Sequence, residues 1–223
     1  MTGSATSLPP WPGSFRATLL DHLPPGVAAP SEAVTRQMES HARLLLRWEK
    51  VGALTSIRDP EEIVRRHFAE SIAALPWLGR DAALLDIGSG AGFPGLPLHM
   101  ARGCTGSLTL AEARAKKAEF LRAVISQAGV ARAVVLETHI ARPADLQGLG
   151  AFDAVSFRAI PDPEEWVGRL PWLLRKGGTA LCYVGGSSLE GMRAAASTSG
   201  FTETARVLLP GAASSSLLVL ARA

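Results

Sequence analysis

Asp86, Gly88, Gly90, Gly92 and Glu112 are the residues whose types and spacing carry chemistry in this chain. Leu84-Leu85-Asp86-Ile87 closes an apolar run on a carboxylate, and four glycines follow within eight residues: Gly88, Gly90, Gly92 and Gly95. An apolar run of this length reads as a buried parallel strand. Glycines let the backbone behind it turn tightly and take positive φ without a Cβ clash. Pro94 and Pro97 would break a helix interior but are tolerated in its first turn, where the N–H groups have no partner anyway. The expected object is strand, glycine loop, helix N-terminus, which is where α/β sheets hold nucleotide-like ligands. A second strand-like run over 107–111 ends at Glu112, where an acidic residue accepts hydrogen bonds from ribose hydroxyls.

Gly90-Ala91-Gly92-Phe93-Pro94-Gly95 matches the dinucleotide pattern G-x-G-x-x-G. NAD and S-adenosylmethionine both carry an adenosine ribose, so Glu112 does not separate them. Counted from Asp86 the pattern is D-x-G-x-G-x-G, which leans towards S-adenosylmethionine, a ligand with no pyrophosphate to cradle. The plain alternatives are a loop that merely turns the chain, and an Asp86 that caps a loop or helix.

The elements that must position these residues are legible along the chain. Its 223 residues suit one main domain plus an appendage. With 47% hydrophobic and 19% charged residues it is a folded chain and not a disordered one. No apolar run approaches the ~20 residues of a membrane span, and the first thirty residues lack a signal peptide's charged start and apolar core. Cys104 and Cys182 have no paired spacing, which makes a cytoplasmic, disulfide-free protein the expectation. Residues 1–30 hold six prolines and read as an irregular arm that Trp11, Phe15, Leu19 and Leu20 could dock. Residues 31–80 read as a helical extension. Val34, Met38, Ala42, Leu45 and Trp48 recur at helical spacing between an N-cap at Ser31 and a stop at Gly52. Asp59-Pro60 opens a second helix that ends before Pro76. Residues 81–223 then alternate: strand 83–87, helix from about 92, strand 107–112, helix 114–128 and strand 133–137. Strand 152–156, helix 162–175, strand 179–184 and helix 187–199 follow, then two strands, 201–208 and 215–221, joined at Pro210-Gly211. Alternation of this kind predicts an α/β fold with a mostly parallel sheet and an antiparallel hairpin at its edge.

The chain resembles the bacterial small-subunit ribosomal RNA guanine-N7 methyltransferases, RsmG or GidB, from about Gln37 to Ala221. The resemblance is carried by Leu45-Leu46-Arg47-Trp48-Glu49-Lys50, Leu54-Thr55-Ser56-Ile57-Arg58-Asp59-Pro60 and Arg66-His67-Phe68-Ala69-Glu70-Ser71. It continues through Asp86 to Pro97, Glu112 with Lys116-Lys117-Ala118-Glu119-Phe120-Leu121-Arg122, and Phe152-Asp153 with Arg158-Ala159. It implies a Rossmann-like class I methyltransferase with a seven-stranded sheet and a helical N-terminal extension. This chain departs from the family pattern with Ala53 for Asn, Glu70 for Asp and Phe157 for Ser. His139-Ile140-Ala141 stands at an Arg-x-Glu element, and Gly185-Gly186 at a Lys-Gly.

The resemblance implies S-adenosylmethionine as cofactor and methyl transfer to guanine N7 of small-subunit rRNA, free or in the assembled subunit. Asp86, Gly88, Ser89, Gly90, Gly92 and Phe93 would line the methionine end of the cofactor, with Glu112 on the ribose and Ile140 and Ala141 beside it. Arg158, after the fourth strand, would orient the RNA or a carboxylate; its plain reading is a surface arginine. Arg58, His67, Lys116 and Lys117 are the candidate RNA contacts. Ile63, Val64 and Phe68 make a packed structural histidine an equal reading of His67, and the charges of helix 114–128 also read as a solvated face. A net charge of +3 suits an anionic partner. The histidines and cysteines show no metal-ligand spacing, so no metal is expected. The sequence leaves the oligomeric state open, with a monomer as the default. Two rivals remain: a member that binds cofactor or RNA without transferring methyl, motivated by Gly185 and Ala141, and a nicotinamide-dependent oxidoreductase using the same loop.

Overall fold

In the computed structural model, which describes residues 10–52, 54–146, 151–209 and 215–223, the run that ends in Asp86 lies in the interior of the sheet, next to its middle strand. Strand β1 (Ala83–Ile87) pairs in parallel with β2 (Ser107–Glu112) on one side and β4 (Phe152–Arg158) on the other. β3 (Ala133–Glu137), β5 (Leu174–Val184), β6 (Phe201–Leu208) and β7 (Ser216–Arg222) complete seven strands in the order β3-β2-β1-β4-β5-β7-β6. Only β7 runs antiparallel, inserted between β5 and β6. The order reverses between β1 and β4, which opens a crevice at the carboxyl edge of these strands. Leu84, Leu85, Val155, Ala180, Leu181, Leu218 and Leu220 are wholly buried, as strands covered on both faces must be.

Helices α5 (Gly95–Ala101), α6 (Ala115–Gln127), α7 (Pro163–Leu173) and α8 (Leu189–Thr198) connect the strands. α5 starts at Gly95, three residues later than the glycine pattern suggests, because residues 89–93 make a tight turn on the Ser89 carbonyl first. β5 starts at Leu174, five residues early, so that Arg175, expected at the end of the helix, and the Lys176-Gly177-Gly178 connection belong to the strand.

The N-terminal elements are helical. Ser31 accepts a hydrogen bond from the Val34 N–H at the start of α2 (Glu32–Gly52), which buries Met38, Ala42, Leu44 and Leu45. The arm is not wholly irregular: α1 (Phe15–Asp21) forms under a Ser14 cap, with Trp11, Phe15 and Leu19 buried against Phe68 and its neighbours. The helix opened by Asp59 is interrupted. α3 (Pro60–Ile63) and α4 (Glu70–Ile72) flank a π-helical turn, Val64–Ala69, a feature often found at functional sites. Ala53 and the Pro210-Gly211 corner lie outside the described residues. No helix among the described residues is long and apolar enough to cross a membrane.

Candidate functional site

The glycine loop is shaped from below. Asp86 is wholly buried, and its Oδ1 accepts the Ser156 hydroxyl at 2.7 Å from the neighbouring strand. Burial pushes its carboxyl up to about 7, against the hydrogen bonds it receives. Gly95 opens α5 directly over this carboxyl; a Cβ there would lie 2.8 Å from Asp86 Oδ2, so only glycine allows the helix so close. Ser89 donates from Oγ to the Asp86 carbonyl at 2.9 Å, and Gly92 turns the chain back on the Ser89 carbonyl. Phe93 is stacked by His41 at 4.7 Å and by His67 at 4.6 Å, ring planes within 13°; two parallel rings at that separation must occupy opposite faces. Asp86, Ser89, Gly92 and Phe93 are buried beneath or behind the loop and set its shape; none of them borders either of the two cavities at the carboxyl ends of the strands.

Three of the residues expected on the cofactor do line one: Gly88, Glu112 and Ile140 border a cavity of about 300 Å³ at the carboxyl ends of β1, β2 and β3. Glu112 is buried, and its carboxylate accepts the Gly90 and Arg114 N–H groups, each at 2.9 Å. Each oxygen retains lone-pair capacity for a ribose hydroxyl. Thr138 and His139 border the same space, as do Asp162, Glu165 and Arg169 from the α7 side. Ala141 stands outside it, its N–H donated to Asp145 Oδ2 at 2.9 Å. Three carboxylates against one guanidinium, itself paired with Glu165 at 3.2 Å, give this cavity a negative lining. That suits the sulfonium and ammonium charges of S-adenosylmethionine and opposes the diphosphate of NAD. The residues present fit the sulfonium cofactor.

A second cavity, about 260 Å³, opens beside it at the carboxyl ends of β4 and β5. Arg66, Glu70, Phe157, Arg158, Tyr183 and Gly185 are on its wall. Arg158 Nη2 donates to Glu70 Oε2 and Nη1 to the Arg66 carbonyl, both at 2.6 Å. Glu70 is 1% exposed, so Arg158 is fixed across the cavity and is not a loose surface side chain. The π-helical turn presents the Arg66 carbonyl that receives it. Here two guanidinium groups face one carboxylate, and the lining is positive.

His67 bonds Thr55 Oγ1 at 2.8 Å and lies against Phe93. Burial, followed by the Arg158 charge, lowers its imidazole to about 3, and its contacts with Thr55 and Phe93 are those of a packed histidine. Arg58 and Lys116 are exposed, and Lys117 reaches over the loop, its Nζ 3.9 Å from where a Gly90 side chain would begin. The sequence pattern gave no sign of Ile160, which lines both cavities, and marked Glu70 only as a departure from the family. Among the described residues no group of His, Cys, Asp and Glu is placed to hold a metal ion.

A sheet of this order with a glycine loop and acidic residue at its switch point is a class I, Rossmann-like S-adenosylmethionine-dependent methyltransferase. Among solved structures, the ribosomal protein L11 methylase of Lactobacillus delbrueckii subsp. bulgaricus superposes with a TM-score of 0.59 at 15% identity, over 70% of this chain and 78% of that one. Aeropyrum pernix fibrillarin with natively bound S-adenosyl-L-methionine gives 0.55 at 18%, over 64% and 68%. The model of the GidB family, rRNA small subunit methyltransferase G, matches residues 34–216, and the chain belongs to that family. The ribosomal RNA small subunit methyltransferase G of Anaeromyxobacter dehalogenans (strain 2CP-1 / ATCC BAA-258) is 36% identical over 172 residues, 77% of this chain and 79% of the relative.

Proposed function

We propose that this protein transfers the methyl group of S-adenosylmethionine to guanine N7 in small-subunit rRNA, acting in the cytoplasm. The observation that carries the reading is the pair of adjoining cavities of opposite charge, a negative one for a cationic cofactor and a positive one for an RNA acceptor. The bound cofactor supplies an electrophilic methyl carbon. Guanine N7 attacks with a free lone pair and has no proton to lose, so the chain's task is alignment and not general-base catalysis. Glu112 and the Gly88 backbone would hold the adenosyl end, with Ile140 against it. Arg158 would orient the base, since a guanidinium is a good donor to guanine O6. It is held for that task by Glu70 and the Arg66 carbonyl. The lysine missing at Gly185 leaves a cavity whose positive charge comes from Arg66 and Arg158. Arg58, Lys116 and Lys117 would meet phosphates, which position RNA without reading its sequence.

Incubating the full chain with methyl-labelled S-adenosylmethionine and small ribosomal subunits lacking this modification tests the reading. Label should enter the rRNA and be recovered as 7-methylguanosine. Intact S-adenosylhomocysteine binding with no label in RNA would instead establish a cofactor-binding protein without transferase activity.

A further inference from the structure

Ile160 borders the cofactor cavity and the acceptor cavity, and it is the one residue common to the two linings among the described residues. It follows β4 on a segment whose conformation is tightly specified. Ala159 has φ 52° and Asp162 φ 47°, both left-handed and neither a glycine. Such conformations persist only where the surroundings impose them, and they gather at functional sites. Pro161 and Pro163, with φ restricted by their rings, stiffen the same stretch. The Ile160 side chain is pressed against the glycine loop: a Cβ on Gly88 would lie 2.9 Å from its Cγ2, so Gly88 is bare where Ile160 approaches.

A branched side chain of this kind has little freedom at χ1. Bordering both cavities, it presents an apolar, rigid face where the two adjoin. We propose that Ile160 is a positioning residue for the transfer, the partition that sets the line along which the cofactor's methyl group meets the acceptor nitrogen and that keeps water off that line. This rests on the assignment of the two cavities to cofactor and acceptor. The bond formed is carbon to N7 and the bond broken is carbon to sulfur, with the electron pair leaving on sulfur, so Ile160 contributes no atom or proton and acts by shape.

The test uses the full chain, single-turnover methyl transfer to unmodified small subunits, and S-adenosylhomocysteine calorimetry. Ile160→Ala should slow transfer by roughly 10- to 100-fold, the scale on which small misplacements of reactants act. Its affinity for S-adenosylhomocysteine should stay within about threefold, and Ile160→Val, which keeps the branch at Cβ, should fall between alanine and wild type. A thermal melt confirms that each variant is folded. If wild type transfers methyl and Ile160→Ala matches it within about twofold, the inference is overturned and the functional reading stands. If Ile160→Ala loses cofactor affinity in proportion to rate, it is only a wall of the cofactor cavity and the inference is again overturned. If wild type itself transfers nothing, the functional reading falls and the inference falls with it.

Discussion

Replacing Glu70 by glutamine removes a charge from the cavity at the carboxyl ends of β4 and β5 while keeping the side chain's size. Glu70 is 1% exposed and its Oε2 lies 2.6 Å from Arg158 Nη2, in a pair whose arginine side chain is 18% exposed. Removing one partner of a buried pair costs about 3–5 kcal/mol, because the other charge is left without compensation. Arg158 retains the Arg66 carbonyl and some solvent, so the lower end, about 3 kcal/mol, is expected. For a chain of this length that lowers the melting temperature by roughly 6–12 °C. Urea melts of Glu70→Gln, Arg158→Met and the double variant form a cycle in which the two losses should fail to add by about 2 kcal/mol or more. Glu70→Gln should also lower the turnover of methyl transfer more than it weakens S-adenosylhomocysteine binding. Glu70→Asp, which keeps the charge, should recover part of that loss. Additive losses, within about 0.5 kcal/mol, together with unchanged turnover would refute the claim that Glu70 positions Arg158.

Burial holds the His41 imidazole neutral, at about 4 against an ordinary 6.5. Its contribution is therefore present above pH 6.5 and is lost as the pH falls towards 4. Urea melts at pH 7.5 and pH 5 should show the stability gap between wild type and His41→Gln shift by about 2 kcal/mol towards the variant at the lower pH; a constant gap would show that His41 titrates normally. Gly95→Ala should destabilise the fold by about 1–3 kcal/mol in the same assay, since the new methyl group meets the buried Asp86 carboxyl, and a neutral result would mean that α5 can move aside. Lys116→Ala with Lys117→Ala should raise KM for rRNA with little change in kcat. The double variant should also reduce the salt dependence of RNA binding by about one power for each phosphate that no longer meets a lysine, whereas an unchanged slope removes both lysines from the interface.

The sheet was legible because its strands are short apolar runs alternating with helical periodicity, and the β6–β7 pair because a short connection joins two strand-like runs. The position of Glu112 was legible for the same reason: place along a βαβ unit follows from counting residues. The companions of the loop were not. His41, His67 and Phe93 lie far apart in sequence, and nothing local says that their rings stack. The D-x-G-x-G-x-G register put Asp86 at the site but could not say that its carboxyl turns inward to Ser156. The π-helical turn escaped because residues 64–69 hold neither glycine nor proline to mark an irregularity. Ile160 gave no signal either, since a left-handed loop built without glycine looks like any short connection. Lys176-Gly177-Gly178 falls between the expected helix and strand, yet β5 runs through it as an irregularity between its pairing with β4 at Leu174 and again from Thr179.

That the cavity at the carboxyl ends of β1, β2 and β3 takes the adenosyl cofactor is the claim beneath all of these. Isothermal titration of the full chain with S-adenosylhomocysteine and with NAD, repeated on Glu112→Ala, tests it most directly. S-adenosylhomocysteine should bind wild type, NAD should not, and the alanine variant should bind about 10- to 100-fold more weakly, the loss expected for hydrogen bonds to a charged group. Binding of NAD alone, or S-adenosylhomocysteine affinity untouched by the loss of Glu112, would contradict it.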